Sequence, residues 1–211
     1  MKRDVTAPSQ LLVEGRTPEI FFRELVEQLG LTARINVRTF GDVAKDTLQT
    51  YLEIFTQRAV FKEKVIKLGI VRDAEANAAV GAFQSVCSAL SGAKILTPSV
   101  IGQFTQSPLC VGVFILPDCN QPGMLETLCL EAAAECEANS PTKLLPCVDE
   151  FFRCVATATA FDNPTKARFA AYALARGVVD PQLGRAAQKR IIPCEAKIFG
   201  PLVEFLRQLA S

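Results

Sequence analysis

The sequence predicts an α/β protein in three layers, with a mostly parallel central sheet and a helical C-terminal region. Short apolar segments alternate with helical patterns in the order β-α-β-α-β-α-β-α, which is typical of a parallel sheet covered by helices. The run Cys110–Leu116 is apolar throughout, as expected of a central parallel strand. After Pro141 the spacing of apolar residues is helical.

Spacing and turn residues mark the first two strands and their helices. Gln10–Val13 is a short apolar strand, and the next helix begins near Pro18, whose fixed φ suits a first helical turn. Alternating apolar and polar side chains predict a strand over Arg34–Phe40. Asp42 is predicted to cap a helix over 42–58.

The next two strands are predicted at Val65–Val71 and Cys110–Leu116. A helix over 76–90 follows the first of them, and a helix over 124–138 follows the second. Between them, 91–107 is rich in turn residues and predicts either an irregular loop or an added hairpin. The core-facing residues of the helix over 76–90 are predicted to be Val80, Phe83, Val86, Cys87 and Leu90.

These elements predict a single domain over 10–211 that follows a flexible N-terminal tail over 1–9. The α/β core occupies 10–140, and a helical elaboration occupies 141–211. Prolines and a glycine-containing turn divide the elaboration into helices. The predicted helices are Cys147–Ala160, Pro164–Arg176, Leu183–Arg190 and Ala196–Leu209.

Composition narrows the chemistry available to the chain. The net charge of +1 gives no indication of a polyanionic partner. The 211 residues include no histidine, which excludes Ser-His and Cys-His nucleophilic catalysis and histidine metal sites. Acid–base or metal chemistry must therefore use Asp, Glu, Lys, Cys or Tyr, and carboxylate ligands favour hard cations such as Mg²⁺ or Mn²⁺.

The eight cysteines predict reduced thiols in a cytoplasmic protein. Met1–Asp4 leads into no apolar signal segment, and no Cys-x-x-Cys pair suggests a zinc or redox site. No apolar run approaches the roughly 20 residues that span a bilayer. Four cysteines in helix-like apolar stretches are predicted to be small buried side chains: Cys129, Cys136, Cys147 and Cys154.

Acidic residues follow three of the predicted strands directly. Glu14 ends the first, Asp73 and Glu75 follow the third, and Asp118 follows the fourth. Because the carboxyl ends of parallel strands meet at one edge of the sheet, we expect these side chains to converge there. If strand geometry persists through Asp73 and Glu75, both carboxylates point to the same side and attract a divalent cation.

Each acid also has an ordinary structural explanation, and for Glu14, which could cap the following helix, that explanation is the weakest. Asp73 can cap the helix that follows it, with Glu75 in its first turn. Asp118 lies in a sequence of turn composition, and Glu126 lies in the first turn of a predicted helix. Glutamate is a poor N-cap, so Glu14 is the strongest candidate for a site residue.

Three short motifs resemble those of the Toprim domain, the metal-binding domain shared by topoisomerases, bacterial primases and overcoming-lysogenization-defect (OLD-like) nucleases. They are Leu12–Gly15, Ile70–Glu75 and Gly123–Glu126. The chain is most similar to a stand-alone Toprim-like family, and the resemblance covers about 10–210. The second motif has Asp-x-Glu where Toprim domains usually have Asp-x-Asp.

The resemblance implies a divalent-metal-dependent phosphodiesterase that acts on nucleic acid, with Mg²⁺ or Mn²⁺ as cofactor. Lys166 can neutralise charge in the transition state or can simply be a solvated residue at a helix start. The metal ligands would be Glu14, Asp73 and Glu75, with Asp118 or Glu126 completing a second site. The catalytic residues would be Glu14, Asp73, Glu75 and Lys166.

The resemblance also suggests partners and an alternative. OLD-like nucleases carry an ATPase, and because this chain has no Gly-x-x-x-x-Gly-Lys-Ser/Thr loop, a separate chain would have to supply one. The alternative is a catalytically inactive Toprim-fold interaction protein or regulatory subunit. The Asp-x-Glu departure and the near-neutral charge favour that alternative.

Overall fold

A computed structural model describes residues 5–41, 47–155 and 159–211 and shows an α/β fold built on one four-stranded sheet. All neighbouring strands are parallel, in the order β2-β1-β3-β4. The predicted fold class is confirmed, and the sheet is parallel throughout. The strands are β1 (Ser9–Glu14), β2 (Ile35–Phe40), β3 (Lys67–Asp73) and β4 (Cys110–Leu116).

Helices cover both faces of the sheet, which gives three layers. Leu11 and Val13 of β1 face one hydrophobic cluster, and Leu12 between them faces the other. The first cluster is formed with α1 and α5–α9, and the second with α2–α4. The helices are α1 (Arg16–Gln28), α2 (Leu48–Thr56), α3 (Ala59–Lys64), α4 (Ala79–Gly92), α5 (Leu125–Glu137), α6 (Leu145–Val155), α7 (Pro164–Ala175), α8 (Leu183–Gln188) and α9 (Gly200–Ala210), with a 3₁₀ turn at Lys197–Phe199.

The last helix packs directly on the centre of the sheet. Ser9 Oγ donates to the Leu209 carbonyl at 2.7 Å, and a Cβ placed on Gly69 would lie 2.9 Å from Leu209 Cδ2. The ring of Phe205 stacks on that of Phe104 with centroids 4.9 Å apart. The C-terminal helices are therefore one layer of the α/β core, because the sheet face would otherwise be exposed to water.

The residues that precede β1 are packed, in contrast to the predicted N-terminal tail. Val5 and Ala7 are buried. The side-chain oxygen of Asn36 accepts hydrogen bonds from the backbone N–H groups of Thr6 and Ala7, at 2.8 and 2.9 Å. The predicted tail over 1–9 is wrong from Val5 onward, because the edge strand β2 supplies hydrogen bonds to this segment; 1–4 lie outside the described residues.

The second predicted helix differs in extent. Asp42, its predicted cap, lies outside the described residues, and α2 is capped instead by the Thr47 hydroxyl, which accepts from Thr50 N at 3.2 Å. A further helix, α3, follows it. Val65 lies at the end of α3, and the strand predicted from Val65 begins at Lys67.

Two predicted burial patterns are wrong. Val80 is 56% exposed, because α4 begins at Ala79 and directs Ala79, Val86 and Leu90 inward. All eight cysteines are free thiols. Of the four cysteines that were predicted to be buried, only one is buried. Cys129 is buried, whereas Cys136, Cys147 and Cys154 are exposed.

The remaining segments refine the predicted boundaries. Residues 93–109 form an irregular loop with one isolated antiparallel bridge between Phe104 and Gly112. α6 begins two residues before its predicted start, and 156–158, which include part of the predicted helix, lie outside the described residues. None of the described helices is long and apolar enough to cross a membrane.

Candidate functional site

A cleft of about 550 Å³ opens at the carboxyl edge of the sheet. It is lined by acids from all three motifs and by one lysine, and we call it the acidic cleft. The first turns of α1, α5 and α7 also line it, so the positive ends of three helix dipoles meet there. Its charged lining residues are Glu14, Arg16, Asp73, Glu75, Glu126 and Lys166.

Backbone pairing brings the second and third motifs together. Glu75 N donates to the Gly123 carbonyl at 2.7 Å, and Gly123 N donates to the Glu75 carbonyl at 2.8 Å. Asp73 Oδ1 accepts from Leu125 N at 2.9 Å. These contacts place the start of α5, and with it Glu126, beside Asp73.

Asp73 caps a helix, but not the predicted one. α4 begins at Ala79, too far along the chain for Asp73 to reach its first N–H groups, whereas the start of α5 lies beside it. Glu75 has a φ of +57°, so strand geometry ends before it. The condition under which Asp73 and Glu75 would share one strand face is therefore not met, although both line the acidic cleft.

The acids at the bottom of the cleft interact electrostatically. Burial, together with the charge of Glu126, raises the pKa of Asp73 from 3.8 to about 7. Burial also raises the pKa of Glu126. The Leu125 N–H and the charge of Lys166 act in the opposite direction on the pKa of Asp73. A negative charge on Glu126 thus disfavours ionisation of Asp73 at the bottom of the cleft.

Lys166 lies in the first turn of α7. The side chain of Asn163 caps that helix, accepting from Lys166 N at 2.9 Å, and this fixes where the lysine leaves the backbone. Lys166 is exposed at the wall of the acidic cleft. Its charge lowers the pKa values of both Asp73 and Glu126, so it balances part of their negative charge.

Glu14 lies at the border of the acidic cleft with a second one. Its carboxylate Oε2 lies 3.3 Å from Arg72 Nε, and 55% of its side chain is exposed. The register that pairs Val13 with Val71 places Arg72 next to Glu14 across the two strands. Arg72 and Asp73 are consecutive in β3, so their side chains leave opposite faces of the sheet.

Asp118 lies apart from the other acids. Its Oδ1 accepts from Asn120 N at 2.9 Å and from Gln121 N at 2.8 Å, within its own turn. It is not among the residues that line the acidic cleft. The structure therefore brings together five of the six predicted residues: Glu14, Asp73, Glu75, Glu126 and Lys166.

The donors of the acidic cleft suit a hard cation, but they are not assembled around one. Within 5–41, 47–155 and 159–211, no three acidic or thiol side chains form a group that could hold a metal ion as they stand. Arg72 was not predicted as a site residue. Its position in the second motif was visible in the sequence, but its contact with Glu14 depends on the register between β1 and β3.

Comparison with protein families matches residues 8–211 to DUF3226, a family described as a protein of unknown function. The chain belongs to the DUF3226 family. The DUF3226 match spans the four strands, the acidic cleft and the C-terminal helices. Nothing among the curated proteins and nothing among the solved structures matches the chain.

Proposed function

We propose that this DUF3226 protein is a divalent-metal-dependent phosphodiesterase that acts on nucleic acid in the acidic cleft. The observation that carries the proposal is the convergence of Asp73 and Glu126 from separate motifs, beside Lys166. The resemblance of the three motifs to Toprim domains supports nucleic acid as substrate.

The chemistry of the donor set fits Mg²⁺ or Mn²⁺. Carboxylate oxygens are the ligands these cations prefer, and a cation would offset the burial and the repulsion by Glu126 that together raise the pKa of Asp73. Asp73 and Glu126 would hold the metal, joined by Glu75 or, once it leaves Arg72, by Glu14; both glutamates are exposed. When bound, the metal would act as a Lewis acid toward the phosphate ester.

The protein's own groups would bind and orient the phosphate. The N–H groups and dipoles at the starts of α1, α5 and α7 favour an anion in the cleft. Lys166 would stabilise the negative charge that develops on the phosphoryl oxygens. The acids alone would repel such a substrate, so phosphate binding is expected to require the cation.

Calorimetric titration with Mn²⁺ and Mg²⁺ tests the proposal. We expect wild type to bind, and Asp73→Asn and Glu126→Gln to bind at least tenfold more weakly, because each removes a charged ligand. Glu63→Gln, an exposed residue of α3, is the control. Cleavage of end-labelled DNA and RNA with and without Mn²⁺ then tests the reaction; no cleavage of either would refute it.

A catalytically inactive interaction protein is the second candidate. Two observations favour it: the described acids form no ready-made ligand group, and Arg72 already neutralises Glu14. It predicts no metal binding at millimolar concentration and no cleavage. If an ATPase chain is the partner, purification from a native lysate would recover that ATPase in a fixed ratio to this protein.

A further inference from the structure

A second cleft, of about 480 Å³, lies on the other side of Glu14. We call it the arginine cleft, because Arg72 and Glu14 are the charged residues among those that line it within 5–41, 47–155 and 159–211. Hydroxyl groups of Thr47, Ser85 and Ser88 also line it. The described part of this lining is thus polar around one guanidinium and one carboxylate, whereas acids predominate in the acidic cleft.

Arg72 is oriented by two contacts and has donors to spare. Its Nε lies 3.3 Å from Glu14 Oε2, and its Nη1 donates to Ser85 Oγ of α4 at 3.1 Å. In the part of the chain that the structure describes, the other guanidinium N–H groups meet no acceptor. A half-buried guanidinium with free N–H groups in a fixed fork matches the oxygens of a phosphate.

We propose that the arginine cleft binds a second phosphate of the substrate, adjacent to the one that reacts in the acidic cleft. This rests on the proposed function and specifies its substrate as a strand with at least two phosphodiesters. Glu14 lines both clefts, so a strand that occupies both passes over the contact between Glu14 and Arg72. Mononucleotides and simple diesters fill only one cleft.

Phosphate binding at Arg72 also affects Glu14. A phosphate bound to the free N–H groups shares the positive charge of Arg72 with the Glu14 carboxylate and weakens their contact, so that Glu14 becomes available to the acidic cleft as a metal ligand. Substrate and metal therefore bind cooperatively, and by linkage each raises the affinity of the other by the same factor.

Binding of fluorescent single-stranded oligonucleotides, measured by anisotropy with Ca²⁺ in place of Mg²⁺, tests the second site. We expect Arg72→Met to weaken binding roughly tenfold and to reduce the slope of log K against log salt by about 0.7, the loss of one phosphate contact. Arg72→Lys keeps the charge and should recover most of the slope. Arg153→Met, an exposed ion-paired arginine of α6, is the control.

The two proposals fail in different ways. If Arg72→Met binds the oligonucleotide with the same affinity and the same salt slope as wild type, the second phosphate site is overturned, even if wild type cleaves nucleic acid. The second phosphate site is also overturned if wild type binds no oligonucleotide. Turnover of bis(p-nitrophenyl) phosphate by wild type, which needs only the acidic cleft, tests the reaction without the second phosphate site. If oligonucleotide binding depends on Arg72 but no diester is cleaved, the proposed phosphodiesterase reaction is refuted, whereas the second phosphate site at Arg72 is supported.

Discussion

Glu75 and Gly123 exchange two backbone hydrogen bonds, of 2.7 and 2.8 Å, in an isolated antiparallel bridge. Both residues have positive φ angles, +57° for Glu75 and +143° for Gly123. The bridge joins the loop after β3 to the start of α5, so it brings Asp73 and Glu126 into one cleft. The stability of this short pairing sets the arrangement of the acids.

Gly123→Ala should loosen the bridge. A Cβ on Gly123 would lie 3.0 Å from Thr127 Oγ1 and 3.1 Å from Pro117 Cδ, and the φ of +143° disfavours a side chain. We expect a loss of about 2 kcal/mol in the free energy of unfolding, measured in urea, and weaker Mn²⁺ binding. Gly15→Ala is the matched control, since it has a φ of +85° but open space around it; its loss should be smaller, about 1 kcal/mol.

Glu75→Gly should separate stability from metal binding. Glycine adopts the left-handed conformation without steric cost, so we expect the free energy of unfolding to rise by about 0.5–1 kcal/mol. The substitution also removes a carboxylate from the acidic cleft, so Mn²⁺ binding should weaken. Glu75→Ala loses the same carboxylate and keeps the unfavourable φ. Equal stability of the two variants would contradict the assignment of strain to Glu75.

Asp73 should make the protein less stable as pH rises. Its pKa is about 7 in the folded protein against an ordinary 3.8, so between these values the folded state holds a proton that the unfolded state has released. In EDTA, the free energy of unfolding should fall from about pH 4 to about pH 7 and then level off, by at most about 1.4 kcal/mol per pH unit. Asp73→Asn should flatten this part of the profile and be more stable than wild type at pH 8.

Metal binding should depend on pH for the same reason. A divalent cation requires the ionised carboxylate, so Mn²⁺ affinity should rise through about pH 7, by up to tenfold per pH unit below it. Titrations at pH 7 in buffers of different ionisation enthalpy should reveal proton release on binding. Binding that is independent of pH from 5 to 8, about two units below the pKa to about one unit above it, would exclude Asp73 as a ligand.

Gly69 and Leu209 should be energetically coupled. Gly69→Ala forces its Cβ into Leu209 and should cost about 1–3 kcal/mol, while Leu209→Ala leaves a cavity and should cost about 2–5 kcal/mol. In the double variant the new methyl group occupies part of that cavity. The double-variant loss should be smaller than the sum by about 1 kcal/mol, as measured by chemical denaturation. Strict additivity would mean that α9 does not pack on β3 as described.

The fold class and the order of the elements can be predicted from the sequence alone. The alternation of apolar segments with helical patterns is a local property of the chain, so it can be recognised without knowledge of long-range contacts. For the same reason, Glu14 and Asp73 were correctly placed at the carboxyl ends of β1 and β3. The three motifs also indicate the acids that line the cleft, whereas Asp118, a candidate from outside those motifs, stays in its own turn.

The way in which those acids meet depends on long-range contacts that the sequence does not show. The helix that Asp73 caps is α5, and Glu14 faces Arg72, because hydrogen bonds and strand register join segments that are distant in the sequence. The packing of α9 on Gly69 cannot be predicted from the sequence either, because these two segments are also far apart in the chain. Periodicity shows which face of a segment is apolar; it does not show which other segment covers that face, since long-range packing makes that choice.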